Sequence, residues 1–337
     1  MAGIIYSEGS GLNNSIFGKS QFPIRSVISQ NTEAFEALSL ISKIFVMDGS
    51  ENFAEKYTSE TSLGNFEDTG ENGAYPKTSM QEGYSKTIIP MTWKSSFEVT
   101  QEMVEDAKNG KLKSKANIFA TSYNRTREQF AASMLAGGIG DTIKFGSKDY
   151  DTTCADGKSL FNTTHTSITK GCADQSNKFM KTSIMTATET IIDTLQERMQ
   201  DTKNDDGHLL NIAPDTIIIP NVGALKRAVM AAVGSELAPS TNGNALNFQM
   251  GLWNVLVWNY LPKTIGGKPY FIMMDSKFNQ DYMCLPFVDR VKLSVRSDMD
   301  PNTDANVWKG RARFGAGFNN WRGISIVGEG LTGATAL

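Results

Sequence analysis

Histidine and cysteine, the side chains that most often build catalytic and metal sites, are scarce in this sequence. The 337 residues contain two histidines, His165 and His208, and three cysteines. A hydrolase triad needs a histidine beside a serine or cysteine nucleophile, so most such schemes lack a base. The odd, low cysteine count argues against a disulfide framework and favours reduced, intracellular thiols. We expect no enzyme activity and no cofactor.

Long apolar runs and a charge excess of one sign are also missing. No run reaches the roughly 18 apolar residues of a transmembrane helix, and the N-terminus lacks the basic and apolar regions of a secretory signal. Lys and Arg number 33 against 36 Asp and Glu, a formal net charge of -3. Because nucleic-acid-binding proteins are usually strongly basic, a partner that reads charge must use a local patch.

The densest group of potential metal ligands is the stretch DGKSLFNTTHTS, residues 156–167, which lies between two cysteines. Structural zinc sites usually take ligands in close pairs such as C-x2-C. Here Cys154, His165 and Cys172 are eleven and seven positions apart. A metal-dependent enzyme built on these three residues is therefore a remote alternative, and an ordered polar loop is the simpler interpretation.

The pattern of apolar residues predicts both helices and strands. Residues 1–30 are rich in Gly, Ser and Asn and indicate an extended arm. Residues 49–92 are polar, with glycine punctuation, and predict a long hairpin that turns near residues 70–77. Helical spacing over residues 113–135 predicts the longest helix, and the strand DTIIIPN lies between two further helices. This alternation indicates a mixed α/β unit.

Charge is distributed unevenly along the chain. The hairpin is acidic and carries Glu67, Asp68 and Glu71 near its turn. Basic residues gather at the start of the long helix and in the C-terminal tail, including Lys111, Lys113, Lys115, Arg125, Arg127, Arg311 and Arg313. An acidic protrusion and basic platforms on one chain predict contacts between copies of the chain. The alternative is that these charges are simply solvated faces.

Taken in order, these elements resemble the major capsid proteins of tailed bacteriophages, which have the Hong Kong 97-like fold. The long helix, the loop DGKSLFNTTHT and the unit holding DTIIIPN follow one another in the expected order, and the tail FVDRVKLSVRSDMDPNTDANVWKGRARFGAGFNNWRGISIVGEG carries the most specific likeness. The resemblance implies an α+β fold in which the tail strands return to the domain of the long helix. Its parts would be an N-terminal arm (1–48), an E-loop hairpin (49–96), a discontinuous peripheral domain (97–183 and 289–337, with the spine helix at 113–136) and an axial domain (184–288).

The resemblance also implies a function. The chain would be the structural subunit of an icosahedral phage head, self-assembling into pentamers and hexamers that enclose double-stranded DNA. Its partners would be copies of itself, scaffold, portal and decoration proteins, and packaged DNA held without sequence-specific binding, with no membrane. It would assemble in the bacterial host cytoplasm and end in the virion capsid. The main alternative is an encapsulin-type nanocompartment shell, which shares the fold and stores cargo enzyme.

Overall fold

The structure is a computed structural model that describes residues 16–60, 68–69, 71, 74–75, 77, 82–100, 109–169, 172–236, 246–299 and 305–337. Within these ranges the chain forms six helices and fourteen strands. This composition confirms the predicted α+β class. No helix among these residues has the length and apolar character needed to cross a membrane.

The long helix α3, Asn109–Gly137, was predicted over residues 113–136 and is confirmed. A second helix, α1, Ile16–Leu38, lies along it. This corrects the prediction of an extended arm for residues 16–30, whereas residues 1–15 of that prediction lie outside the described residues. Ile28 of α1 is buried against Phe119 and Ala120 of α3. Most helical stability comes from tertiary packing of one face rather than from intrinsic propensity, so the composition of this segment did not reveal its helix.

The segment after α1 connects to a four-stranded sheet. A one-turn helix, α2, spans Ile41–Ile44. The strands of the sheet are β1 (Val46–Gly49), β4 (Met91–Val99), β11 (Pro286–Met299) and β12 (Asn306–Ala316), in the order β1-β11-β12-β4. Strand β1 is parallel to β11, and the other two pairs are antiparallel. Helix α3 covers one face of this sheet, where Phe119 packs beside Trp308.

The predicted hairpin is present as strands β2, Glu55–Glu60, and β3, Glu82–Ile88, which pair antiparallel. Its turn, predicted near residues 70–77, lies largely outside the described residues. A second, short hairpin follows α3 and consists of β5, Thr142–Phe145, and β6, Lys148–Asp151.

A six-stranded mixed sheet forms the other half of the molecule. Its strands, in spatial order, are β14 (Thr335–Ala336), β7 (Lys178–Met180), β13 (Ile324–Gly328), β10 (Tyr270–Met274), β8 (Thr216–Pro220) and β9 (Asn254–Trp258). The remaining helices are α4 (Thr188–Gln200), α5 (Gly223–Gly234) and α6 (Ser276–Asp281). The predicted buried strand DTIIIPN is confirmed as β8, whose five residues are all buried.

The C-terminal tail divides between the two sheets. Strands β11 and β12 lie beside the long helix, as predicted. Strand β13 instead pairs with β10 and β7, so the prediction that every tail strand returns to the domain of the long helix is wrong for β13. All five residues of β13 are buried, and the six-stranded sheet gives this apolar strand neighbours on both edges. Buried side chains of α3, α4 and both sheets form one continuous core.

Candidate functional site

The loop around His165 is a buried polar network. The His165 Nδ1 atom lies 2.6 Å from Asp156 Oδ2, and its Nε2 atom lies 3.2 Å from Asn177 Oδ1. The imidazole ring stacks on Trp321, and its side chain has no exposed surface. Because both ring nitrogens face hydrogen-bonding partners, neither is directed at an open metal position. The structure agrees with the interpretation of this stretch as an ordered loop.

Asn177 completes this network and was missed by the sequence analysis. Its side-chain amide donates hydrogen bonds to the carbonyl oxygens of Leu160, at 2.8 Å, and Ile324, at 3.0 Å. Its Oδ1 atom accepts from the backbone N–H of Asn162 at 2.9 Å. One amide thus ties the loop to β13. Nothing in the local sequence distinguishes this asparagine from the other polar residues around it.

The two cysteines that flank this loop, Cys154 and Cys172, lie in different environments. Cys154 is buried, and desolvation raises the pKa of its thiol well above the ordinary value, which disfavours the thiolate that metals and electrophiles require. The Cys172 Sγ atom donates a hydrogen bond to the carbonyl oxygen of Asp205 at 3.2 Å. In the described part of the chain, no three His, Cys, Asp or Glu side chains come together as a possible metal site.

Arg127, a predicted contact to a neighbouring subunit, is buried within its own chain. Its guanidinium donates to Asp289 of β11 and to Glu36 of α1, at 3.3 Å for the latter. The same guanidinium lies 5.1 Å from the ring centroid of Phe287. We therefore correct the prediction that Arg127 contacts a neighbouring subunit. Its guanidinium already contacts two carboxylates and an aromatic ring of its own chain.

The other basic residues of the long helix differ in position. Lys115 is half-buried, and its Nζ atom donates to the carbonyl oxygen of Glu98 at 3.4 Å. Arg125 is exposed. The structure does not describe the side chains of Lys111 and Lys113. Fewer basic side chains of the long helix are therefore available to contact a neighbouring subunit than the sequence indicated.

The acidic end of the hairpin and the basic tail are on the surface where they are described. Asp68 and Glu71 are exposed, whereas Glu67 lies outside the described residues. On β12, Arg311 is exposed and Arg313 is half-buried. That these groups contact neighbouring subunits stays a prediction.

An exposed apolar loop precedes β9 in the six-stranded sheet. The side chains of Leu246, Phe248, Met250 and Leu252 are 84%, 66%, 47% and 58% exposed. The intervening Gln249 is buried, and its amide donates to Asp193 Oδ1 at 2.7 Å. Isolated exposed apolar residues are normal, but a contiguous group indicates an interaction site. Because buried polar residues alternate with exposed apolar residues along this loop, these four apolar side chains face solvent.

The sequence profile of the family described as phage capsid protein matches residues 83–327. The chain belongs to the phage capsid protein family. The match covers nearly all of the hairpin strand β3, the long helix, and the strands of both sheets except β1 and β14. The resemblance to tailed-phage major capsid proteins is thereby confirmed, and the chain is a structural capsid protein. None of the curated proteins compared with the chain matches its sequence.

Solved capsid structures share the fold despite low sequence identity. A structure from Mycobacterium phage Patience has 12% identity and a TM-score of 0.53, with 93% of this chain and 88% of that chain covered. The capsid of an empty GTA particle, computed with C5 symmetry, has 12% identity and a TM-score of 0.51, with 86% and 89% covered. The capsid of Ralstonia phage GP4 has 9% identity and a TM-score of 0.51, with 84% and 85% covered. These likenesses confirm the predicted Hong Kong 97-like fold.

Proposed function

We propose that this capsid protein is the main shell subunit of an icosahedral phage head. Copies of the chain would form pentamers and hexamers and enclose double-stranded DNA, with scaffold, portal and decoration proteins as further partners. Assembly would take place in the bacterial host cytoplasm. The family match over residues 83–327 carries this proposal, and the C5 symmetry with which the capsid of a similar GTA particle was computed supports ring-shaped arrangements.

The hairpin, residues 49–96, would reach neighbouring subunits, whereas residues 16–48 of the predicted arm pack on their own chain through α1, α2 and β1. The described strands of the hairpin support this role because they bury few of their side chains. In β3, Lys86 and Ile88 are buried, and both lie at the end of the strand nearest the body of the molecule. A two-stranded hairpin without further cover is marginally stable in water, so the hairpin would gain stability from a neighbouring surface.

The segment 184–288 would form the axial domain and meet its copies around five- and six-fold axes, while 97–183 and 289–337, apart from β13, would form the peripheral domain. The exposed apolar loop at residues 246–252 supports the axial contact. Packing its side chains against another subunit would remove them from water, at roughly 25 cal/mol per Å² of apolar surface buried. The β13 strand would belong structurally to the axial half.

Negative-stain electron microscopy of the chain, expressed alone and together with the other head genes of its genome, tests this proposal. We expect uniform closed particles, and we expect particles from the full gene set to contain double-stranded DNA. Closed particles that copurify with a cargo enzyme and lack DNA would instead support the encapsulin-type alternative. Unassembled protein in both preparations would contradict both shell functions. Stoichiometric zinc that is lost in Cys154→Ala would support the metal-dependent enzyme.

A further inference from the structure

A groove, here called the α1–α3 groove, lies where α1, α3 and the end of β9 meet. Its volume is about 240 Å³, which is room for about eight water-sized groups at roughly 30 Å³ each. Its walls are mostly apolar and include Phe35 and Leu38 of α1, Ile41 of α2, and Trp258 and Tyr260 at the end of β9. The groove can therefore hold one large apolar side chain together with a peptide group.

Two buried donors of α3 line this groove and lack a hydrogen-bond partner among the described residues. They are the Nδ2 atom of Asn124 and the Nε atom of Arg127, and these residues are only 8% and 7% exposed. Because the two positions are three apart, their side chains lie on the same face of the helix. An unpaired buried donor is destabilising, so the pair indicates a site that an acceptor atom from outside the chain would complete.

The charges around the groove favour a neutral acceptor over an anion. Arg125 and Arg127 line the groove together with Glu36 and Glu128, so its lining carries no excess of positive charge. Arg127 is also paired with Asp289. An anion would lose its hydration in a site whose charges are already balanced, and burial of an unpaired charge is costly. The carbonyl oxygen of an amide accepts hydrogen bonds without that cost.

An acceptor for the N–H of the same amide is also present. Glu36 lines the groove, and its side chain is 35% exposed, so a ligand can reach its carboxylate. Glu128 is already used, because its two carboxylate oxygens accept from the Ser39 hydroxyl and from Trp258 Nε1, the latter at 2.8 Å. Two donors and one accessible acceptor beside an apolar cavity match a peptide group that carries an apolar side chain.

Exposed apolar side chains extend the groove at its rim. Leu38 is 80% exposed, and Phe35 and Tyr260 are each 40% exposed. A ligand of the size of the cavity would leave these side chains in water, whereas a chain segment that continues beyond the cavity would cover them. A contiguous exposed apolar group is typical of a protein-interaction site.

We propose that the α1–α3 groove is the docking site for an uncharged, apolar peptide segment of a partner protein. One apolar side chain fills the cavity, its peptide carbonyl accepts from Asn124 and Arg127, and the flanking residues cover Leu38. The exposed apolar loop 246–252 of a second copy has similar chemistry, but the proposed axial contact already employs it. The inference goes beyond the shell function, which leaves this groove without a role.

Titration of two small probes into the unassembled, full-length chain tests recognition of the peptide group. N-acetyl-leucinamide is neutral, and N-acetyl-leucine carries a carboxylate. We expect the neutral probe to shift the methyl NMR signals of Ile41 and Val257, and to bind about tenfold more tightly than the anion. Equal affinities, or a preference for the anion, would overturn the assignment of a neutral ligand. Absence of binding would overturn the site itself.

Asn124→Leu separates a binding role of this amide from a structural one. The substitution removes the unpaired donor and keeps a side chain of similar size, so the variant should unfold at an equal or higher urea concentration than the unmodified chain. Binding of N-acetyl-leucinamide should nevertheless weaken about tenfold. Asn117→Leu, at an exposed position of the same helix, is the matched control and should leave binding unchanged. Unchanged binding to a folded Asn124 variant would contradict the role of this donor.

A longer probe tests whether the ligand is a chain segment. The acetylated and amidated tripeptide alanyl-leucyl-alanine should bind about fivefold more tightly than N-acetyl-leucinamide, because its flanking residues bury apolar surface at the rim. Leu38→Ser should remove most of this gain and leave the affinity for N-acetyl-leucinamide unchanged. A tripeptide that binds no more tightly than the single amide would identify a small-molecule site and overturn peptide docking.

Self-association distinguishes a partner protein from a second copy. Sedimentation equilibrium should give equal association constants for the unmodified chain and for Asn124→Leu. Weaker association of the variant would identify a second copy as the occupant and overturn the assignment to a partner protein. Because the titrations use unassembled protein, a chain that binds the probes but forms no shells would contradict the proposed function alone. Shells from a chain that binds neither probe would contradict this inference alone.

Discussion

The imidazole ring of His165 lies face to face on the indole ring of Trp321, with centroids 4.2 Å apart and planes 9° from parallel. Trp321 lies three residues before the start of β13, whereas His165 lies in the loop between the β5–β6 hairpin and β7. The contact therefore joins the loop that leads into β7 to the segment that leads into β13, the neighbouring strand of the six-stranded sheet. Asp156, whose side chain is 3% exposed, depends on the same histidine for its charge-assisted hydrogen bond.

Replacing His165 with alanine should destabilise the subunit. The substitution leaves the Asp156 carboxylate buried without its partner and removes the stacking surface of Trp321. We expect a loss of about 3 kcal/mol in the free energy of unfolding, measured by urea denaturation of the unassembled protein. His208→Ala is the matched control because His208 is exposed, and it should stay within about 0.5 kcal/mol. Equal effects of both substitutions would contradict the role of the network.

The sequence predicts the elements whose apolar residues repeat periodically within one segment of the chain. The long helix and strand β8 were placed correctly because their apolar spacing is set by their own residues. The partners of His165 and Arg127 were not predictable, since Trp321 and Asp289 are more than about 150 positions distant and no local pattern indicates them. For the same reason, the sequence could not show that β13 joins the six-stranded sheet.

Arg127→Met should be strongly destabilising, because it leaves Asp289 buried without its cation. The expected loss at neutral pH is about 3–5 kcal/mol. Desolvation raises the pKa of Asp289 above its ordinary value of 3.8, and the Arg127 charge opposes that rise. Removing Arg127 therefore raises the pKa of Asp289 further in the folded chain.

The sign of the pH dependence follows from this shift. A carboxyl group with a higher pKa in the folded chain favours folding less as the pH rises from its ordinary value through its folded value. Urea denaturation between about pH 4 and pH 7 should thus show a steeper fall in stability for Arg127→Met than for the unmodified chain. Arg125→Met, on the exposed side of the same helix, should show neither effect. Parallel pH profiles of the Arg127 variant and the unmodified chain would contradict this assignment.

Lys86 anchors the base of the E-loop hairpin. Its Nζ atom donates to Asp151 Oδ2 at 2.6 Å and to Thr153 Oγ1 at 2.8 Å. Lys86→Met should increase hydrogen exchange of the β2 and β3 amides at neutral pH, corresponding to a loss of about 1–2 kcal/mol in local stability. Lys56→Met, at an exposed position on the same hairpin, is the control and should leave exchange unchanged.

The effect of Lys86→Met should depend on pH. Desolvation acts to raise the pKa of Asp151, but the hydrogen bonds from Lys86 and Thr153 and the Lys86 charge outweigh it, and the pKa is lowered from 3.8. A lowered carboxyl pKa contributes stability above the ordinary value that is lost as the pH falls through the folded value. The difference in β2 and β3 amide exchange between Lys86→Met and the unmodified chain should therefore become smaller below about pH 3.8. A difference that stays constant into acid would show that the Asp151 charge is not involved.

Gly310 sets how closely the long helix approaches the four-stranded sheet. A Cβ atom at this position would overlap the ring of Phe119, which also packs against Phe97. Gly310→Ala should therefore lower the free energy of unfolding by about 1–3 kcal/mol, measured by urea denaturation. Gly49→Ala in β1 is the control, because nothing lies within 4 Å of the added methyl group.

A double-mutant cycle then separates this steric effect from any intrinsic preference for glycine at position 310. Phe119→Leu removes the end of the ring that an alanine side chain would meet, at a cost of its own from lost burial. We expect Gly310→Ala to cost less in the Phe119→Leu background than in the unmodified chain, with a coupling of about 1 kcal/mol. Additive losses would mean that the helix and the sheet separate to accommodate the methyl group, so that Gly310 does not determine their spacing.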